Sequence, residues 1–409
     1  MLPWFDALFV AFAVVLLVPS VILFIECVVA ALPGFRRPSR AAEHPDARMV
    51  VVMPAHDEEA VIEETLRALM PELGPRGEVL VVADNCSDDT AAIARRVGAT
   101  VLERNDPSRR GKGYALSYAI DHLAVDAPDV VVILDADCKV SPGGLARLAE
   151  HAHATDRPVQ ADYLLQTPRE PTPVGRVSAL ALLVRNRVRP LGLHRLGLPC
   201  HLAGSGMAFA WRTIASAPPT HGHLVEDLQM GLDLAEQGHP PLFCPEVEVT
   251  STLPTHDEDA RGQRRRWEHG QLETLLHRGP RLIGRGLIGL RPELVALGLD
   301  LTIPPLALLV GMVVPATLVA YLWAWWGASF MPLRLLLLAN VALFTALTSA
   351  WFRFGRAVLP PGELLSIPRY FIWKIPVYFA FLFRDRQTSW ERTRRSSESQ
   401  TDEEVDESQ

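Results

Sequence analysis

Cysteine is scarce in this chain of 409 residues. Its five copies, Cys27, Cys86, Cys138, Cys200 and Cys244, are scattered, odd in number and never spaced Cys-x-x-Cys. That argues against a disulfide framework or a thiolate zinc site and suits a reducing compartment. The thirteen histidines contain no His-Glu-x-x-His pair, the mark of a zinc-protease helix. His221 and His223, close to Glu226, come nearest to a ligand pair, although polar loop histidines more often have no such role. Gly204-Ser205-Gly206 lacks the third glycine of a dinucleotide-binding turn. It reads as a tight loop where a ligand approaches the backbone, or equally as a plain turn. No internal repeat or low-complexity core segment is evident, which sets aside repeat architectures.

What is abundant is apolar sequence, 49% of the residues at a mean hydropathy of +0.14, and it is concentrated in runs. Residues 1–33 are almost continuously apolar from Trp4 to Leu32, long enough for a bilayer core of about 20 residues. No basic residue precedes this run and Arg36, Arg37 and Arg40 follow it, which disfavours a secretory signal and puts its C-terminal end in the cytoplasm. Residues 294–327, with Pro304, Pro305 and Pro315 inside, and residues 333–352 form two further runs joined by a short connector. They predict an antiparallel transmembrane hairpin, with Trp323, Trp325 and Trp326 at an interface and Arg353 and Arg356 back in the cytoplasm. Residues 363–385 are apolar but hold Pro368, Arg369, Lys374 and Pro376, which makes a full span costly and predicts an interfacial or membrane-associated segment. Residues 281–292 interleave arginine with Leu and Ile and predict an interfacial helix. Residues 396–409 are acidic and polar, a composition that does not order itself.

Between the membrane runs, residues 47–280 read as one globular domain. Met49 to Met53, Glu78 to Ala83, Ala99 to Leu102 and Val130 to Leu134 are β-rich and apolar, with helical patterns between them. Strands apolar on both faces and alternating with helices predict a parallel, doubly wound α/β sheet. Ligands bind such sheets beyond the carboxyl ends of the strands. The polar clusters fall there: His56-Asp57-Glu58, Asp84-Asn85 and Asp135-Ala136-Asp137. Alternation along an extended backbone points Asp135 and Asp137 the same way, a hard oxygen pair suited to Mg2+ or Mn2+. Asp88 or Asp89 reads more simply as a helix cap. Glu226-Asp227 reads equally from its spacing as an acidic pair at a helix N-terminus or as a base. In Gln263-Arg264-Arg265-Arg266-Trp267, Arg266 has the planar fork that meets phosphate oxygens and Trp267 a flat wall for a sugar ring.

Taken in order, these pieces resemble the membrane-anchored glycosyltransferases of family 2, the group that includes cellulose and hyaluronan synthases and ceramide glucosyltransferases. The resemblance runs from Val50 to about Gly270. It rests on Pro54-Ala55-His56-Asp57-Glu58-Glu59, Asp84, Gly111-Lys112-Gly113-Tyr114-Ala115-Leu116, Asp135 with Asp137, Val225-Glu226-Asp227, and Gln263 with Arg266 and Trp267. Departures are Asp57 for Asn, Ala83 for the first Asp of a pair, and Val225 for Thr. The resemblance implies a GT-A, Rossmann-like nucleotide-sugar-binding domain with flanking transmembrane helices. It implies an inverting transfer of a hexosyl or N-acetylhexosaminyl group from a nucleoside diphosphate sugar, with UDP expected, using Mg2+ or Mn2+. By the same resemblance, Pro54, Glu58, Asp84, Lys112, Asp135, Gln263, Arg266 and Trp267 bind the nucleotide sugar, with Asp84 on the base and Lys112 at the diphosphate. It also implies Asp137 as the main metal ligand with Asp135 and Asp227 as the catalytic base, while Glu226, Gly204 and Ser205 are read as the acceptor side.

The expected partners are the sugar donor, a lipid-linked or glycan acceptor and membrane lipids, with no nucleic acid. Three spans are few for a polymer channel, so a lipid, polyprenol-linked or short glycan acceptor is favoured over processive exopolysaccharide synthesis. A non-enzymatic membrane scaffold with a degenerate nucleotide domain is the reading from another class. The location expected is the plasma or inner membrane, multi-pass, with the catalytic domain cytoplasmic.

Overall fold

The computed structural model of the chain describes residues 3–33, 47–167, 172–218, 225–253, 257–371 and 374, without the side chains of 257–261 and 263–265. Arg36, Arg37, Arg40, His221, His223, most of 363–385 beyond Phe371 and the 396–409 tail lie outside the described residues, as do the side chains of Gln263, Arg264 and Arg265. The helices are α1 (Pro3–Ala31), α2 (Ile62–Leu69), α3 (Thr90–Val97), α4 (Lys112–Leu123), α5 (Gly144–Thr155), α6 (Pro173–Leu183), α7 (Arg189–Leu196), α8 (Trp211–Ala215), α9 (Glu226–Glu236), α10 (Asp257–Ile288), α11 (Pro292–Leu301), α12 (Leu306–Trp325) and α13 (Met331–Ala350). The strands are β1 (Met49–Ala55), β2 (Gly77–Asp84), β3 (Thr100–Arg104), β4 (Val130–Ile133), β5 (Lys139–Val140), β6 (Val159–Gln166), β7 (Met207–Ala210) and β8 (Leu242–Thr252). They fall into two compact units, one of Met1–Arg36, Pro171–Leu198 and Glu268–Arg386, the other of Arg37–Glu170, Pro199–Trp267 and Gln387–Gln409.

The second unit is built on one sheet of order β3-β2-β1-β4-β7-β6-β8-β5. Side-chain alternation divides its core. Val51, Met53, Val79, Val81, Val130 and Val132 pack on one face with Ile62 and Leu66 of α2 and Leu145 and Leu148 of α5. Val50, Val52, Leu80, Val82, Val131 and Ile133 pack on the other with Ala115, Leu116 and Ala119 of α4. Burial on both faces is why these strands read as continuous apolar runs rather than alternating ones. The four predicted strands are the parallel half, β3-β2-β1-β4. The expectation of a wholly parallel sheet needs correction: β7 runs antiparallel to both β4 and β6, and β5 antiparallel to β8. Short strands such as Met207–Ala210, without helical sequence on both sides, carry little periodicity to announce them.

Among the described residues, three helices of the first unit are long and apolar enough to cross a membrane: Trp4–Ala31, Leu306–Trp325 and Met331–Gly355. Ala13, Leu16, Leu23 and Cys27 of α1 pack with Val313, Ala316 and Ala320 of α12 and with Leu336, Ala339, Leu343 and Ala346 of α13. Small residues let helix backbones approach closely, where packing rather than hydrophobicity holds membrane helices together. Asn340 Nδ2 donates to Thr317 Oγ1 at 2.7 Å, and the Trp323 indole N–H to Asp6 Oδ1 at 2.8 Å.

Three boundaries differ from those expected. The 294–327 run is two helices, α11 and α12, because Pro304 and Pro305 have no N–H to carry a helix through the break. Residues 281–288 are the last turns of the 32-residue α10 rather than a separate helix. Its end at Gly289-Leu290 leaves Leu287, Ile288 and Leu290 exposed. Residues 171–198, expected in the globular domain, belong to the helical unit. There Arg189 Nε donates to Glu26 Oε2 at 3.0 Å and Nη2 to Asp300 Oδ1, all three side chains buried. Arg195 Nη1 donates to the carbonyls of Val29 and Leu32 at the end of α1, at 2.9 and 2.7 Å.

Candidate active site

The parallel half of the sheet ends in polar residues because an extended strand must give way to loop where its hydrogen-bond ladder stops. At the end of β1, Pro54 lies in register with Val82 of β2. His56 Nδ1 then hydrogen-bonds the Asp84 carbonyl at 2.6 Å. Asp57, where the family carries Asn, has φ +52°, a left-handed conformation both residues tolerate. Its Oδ1 accepts from the Ser87 backbone N–H at 2.6 Å, and the Glu58 backbone N–H donates to Thr90 Oγ1 at 2.7 Å.

Asp84 closes β2 and is buried. Its Oδ1 accepts from Arg104 Nη1 at 2.6 Å and from Asn85 Nδ2 at 2.9 Å. Arg104 is its register partner across the β2–β3 pair. Ending β3 at Leu102, as the sequence suggested, hides that partnership.

Asp135-Ala136-Asp137 follows β4. Its carboxylates converge, but not by strand alternation: the segment is a turn closed by Cys138 N–H to Asp135 O at 3.1 Å. Ligand atoms of Asp135, Asp137 and Cys138 lie within 4.8 Å of one another. Asp137 Oδ2 accepts from Ser251 Oγ on β8 at 2.6 Å. The buried Cys138 sulfur accepts from Ser205 Oγ at 3.2 Å, and burial pushes its thiol well up. The donors left are two hard carboxylates, which fit Mg2+ or Mn2+ and not a soft metal.

Lys112 opens α4 and turns inward. Its ammonium donates to Asp135 Oδ1 and, at 2.6 Å, to the Gly204 carbonyl. Burial opposes its charge, yet Asp135, Glu226 and Asp227 together hold it above the ordinary lysine range. Its partners in the described structure are thus the acids and the loop of this site. Glu226 and Asp227 begin α9. Burial first and Asp227 second push the Glu226 carboxyl up to about 7, against the pull of Lys112.

The loop beneath is Gly204-Ser205-Gly206. Gly204 has φ +90°, and a Cβ there would sit 3.5 Å from Asp227 Oδ2. Gly206 has φ +69°, and a Cβ would stand 2.8 Å from Val249. Ser205 Oγ accepts the Asp135 backbone N–H at 3.0 Å, while buried Gln160 donates to the Ser205 carbonyl at 2.9 Å and accepts the Ala203 N–H at 2.8 Å. Arg104, Ser251 and Gln160 were not picked out from the sequence, because single polar residues inside apolar strands carry no motif. Gln263, Arg266 and Trp267 all fall within α10, the side chain of Gln263 outside the described residues. The arrangement as a whole brings Asp135, Glu226 and Asp227 around the Lys112 ammonium, with Asp137 beside Asp135.

Residues 45–270, more than half of the chain, match the model of "Glycosyltransferase like family 2". An uncharacterized glycosyltransferase of Mycobacterium tuberculosis is 29% identical over 189 residues, 41% of this chain and 82% of that protein. Glucosyl-3-phosphoglycerate synthase of the same organism is 35% identical over 111 residues, 26% of this chain and 33% of that enzyme. Among solved structures, a mannosyltransferase from Pyrobaculum calidifontis in complex with GDP-Man and Mn2+ superposes with a TM-score of 0.47 at 20% identity, over 80% of this chain and 99% of that one. The chain belongs to the glycosyltransferase family 2.

Proposed function

We propose that this glycosyltransferase transfers a hexosyl or N-acetylhexosaminyl group, with inversion, from a UDP-sugar to a hydroxyl of a lipid, polyprenol-linked or short glycan acceptor at a membrane. One observation carries the reading: the turn of Asp135 and Asp137, the ammonium of Lys112, and the Glu226-Asp227 pair meet over Gly204 at the carboxyl end of the sheet. Asp137 with Asp135 would hold a divalent cation, which when bound offsets the charge that develops on a departing diphosphate. Asp84 faces the base of the nucleotide. Arg266 is suited to the diphosphate and Trp267 to a sugar ring.

Inversion by direct displacement forms one bond and breaks another at the anomeric carbon. The acceptor oxygen attacks, its proton passes to Asp227, and the nucleoside diphosphate leaves with the bonding electrons. The bare face of Gly204 gives the acceptor room beside Asp227 Oδ2. Lys112 keeps Asp135 and the Gly204 carbonyl in place, and burial favours the protonated form of Glu226 beside the base.

The reading is tested with purified protein, a panel of nucleotide sugars and a membrane lipid extract. Asp227→Asn is expected to bind donor as the wild type does while losing at least about 100-fold in turnover. Normal transfer by that variant would remove Asp227 from the role. Radiolabelled product is expected to stay short and partition into organic solvent. A long insoluble polymer would instead support a processive exopolysaccharide synthase, and neither turnover nor nucleotide binding with any donor would leave a membrane scaffold.

A further inference from the structure

We propose that Arg104 sets the base selectivity of the donor site by occupying one oxygen of Asp84, leaving the other for a base with a single imide N–H such as uracil; this rests on Asp84 facing the base. Both described side-chain hydrogen bonds to the Asp84 carboxylate fall on Oδ1, from Arg104 Nη1 at 2.6 Å and Asn85 Nδ2 at 2.9 Å. The arrangement is built to stay. Arg104 Nη1 also donates to the Arg109 carbonyl at 2.8 Å and Nη2 to Asp106 Oδ2 at 3.3 Å. The guanidinium lies 5.5 Å from the centre of the Tyr114 ring, and the side chain is only 11% exposed. Asn85 is fixed as well, since its Oδ1 accepts the Asp106 backbone N–H at 2.8 Å, which turns its amide nitrogen toward Asp84.

The consequence follows from base chemistry. Guanine presents two adjacent donors, the ring N1–H and the exocyclic N2–H, which a carboxylate accepts best with both oxygens. Uracil presents one ring N–H between two carbonyls and asks for one acceptor. A carboxylate with Oδ1 already taken by a guanidinium and an amide offers Oδ2 alone. Guanine would then leave a donor unmet on burial, whereas uracil would not, and an unmet buried donor is the costlier fault. Arg104 acts through Asp84 and is a positioning residue.

Binding of UDP and of GDP to the full chain in detergent or nanodiscs, with Mn2+ present, tests this. The wild type is expected to favour UDP. Arg104→Met, which leaves Oδ1 with the Asn85 amide alone and room for a second donor, is expected to lower the UDP-over-GDP preference about tenfold. The loss should appear in the KM for a UDP-sugar more than in kcat. Arg104→Lys, which keeps the charge but lacks the planar fork, is expected to lower the preference less. A wild-type preference for GDP, or an unchanged ratio in folded Arg104→Met, overturns the proposal; should that variant not fold, an unchanged ratio in Arg104→Lys does so. Asp84→Asn separates the two layers of the argument. If it leaves both nucleotides bound as before, the Asp84 assignment itself fails. If it weakens UDP while the Arg104 variants keep the wild-type ratio, only the role of Arg104 fails.

Discussion

Glu226 and Asp227 are neighbours in sequence with different surroundings, and the difference is measurable. With the Glu226 carboxyl raised to about 7 from an ordinary value of 4.5, the folded chain holds a proton there that the unfolded chain has released. Stability contributed by that proton is complete below pH 4.5, falls as pH rises toward 7, and changes no further above it. Glu226→Gln is expected to remove this downward slope between pH 5 and 7, read as the thermal midpoint of the protein without nucleotide or metal. A variant with the wild-type slope would place the titration elsewhere. At this scale the acids were legible as motifs, and Asp135, Asp137 and Asp227 stood out by position. The neighbours that tune them did not. Ser251, Gln160 and Arg104 reach the site only because β8, β6 and β3 lie beside strands distant in sequence.

Among the elements, α7 carries a buried charge: Arg189 lies between Glu26 of α1 and Asp300 of α11. Gly192 allows the approach, since a Cβ there would come within 2.2 Å of the Glu26 carbonyl oxygen. A buried charge stripped of its partner costs far more than the pair contributes. Arg189→Met is therefore expected to destabilise the protein by about 3–5 kcal/mol, measured by thermal unfolding in detergent. The triple variant Glu26→Gln, Arg189→Met, Asp300→Asn should recover much of that loss. Equal destabilisation by the single and triple variants would show that packing, not uncompensated charge, sets the cost. The same rule accounts for Lys374, whose place in an apolar segment argued against a full span: its ammonium is buried and paired with Glu268.

For the whole molecule, the three long apolar helices were readable because a span needs about 20 apolar residues, whatever it packs against. We propose their orientation from charge: Arg353 and Arg356 would put the C-terminal side of the third helix in the cytoplasm, and the three candidate spans among the described residues would then put the N-terminus across the membrane. A reporter that fluoresces only in the cytoplasm is expected to be bright when fused after Arg356 and dark when fused before Met1. The opposite pattern would invert the topology and move the sugar-transfer site out of the compartment where nucleotide sugars are made.

Features that depend on short-range chemistry are legible along the chain: apolar helices from hydropathy, strands from β-branched runs, and acids where those strands stop. Which distant residues meet is settled only by folding. Register across β2 and β3 sets Arg104 beside Asp84, and a turn rather than a strand brings Asp135 toward Asp137. Packing on α1 draws residues 171–198 out of the globular domain in which their sequence lies. Motifs announce residues that act at fixed spacing along one chain segment. Pairing across a sheet or between helices has no such spacing, so these neighbours became visible only in the folded chain.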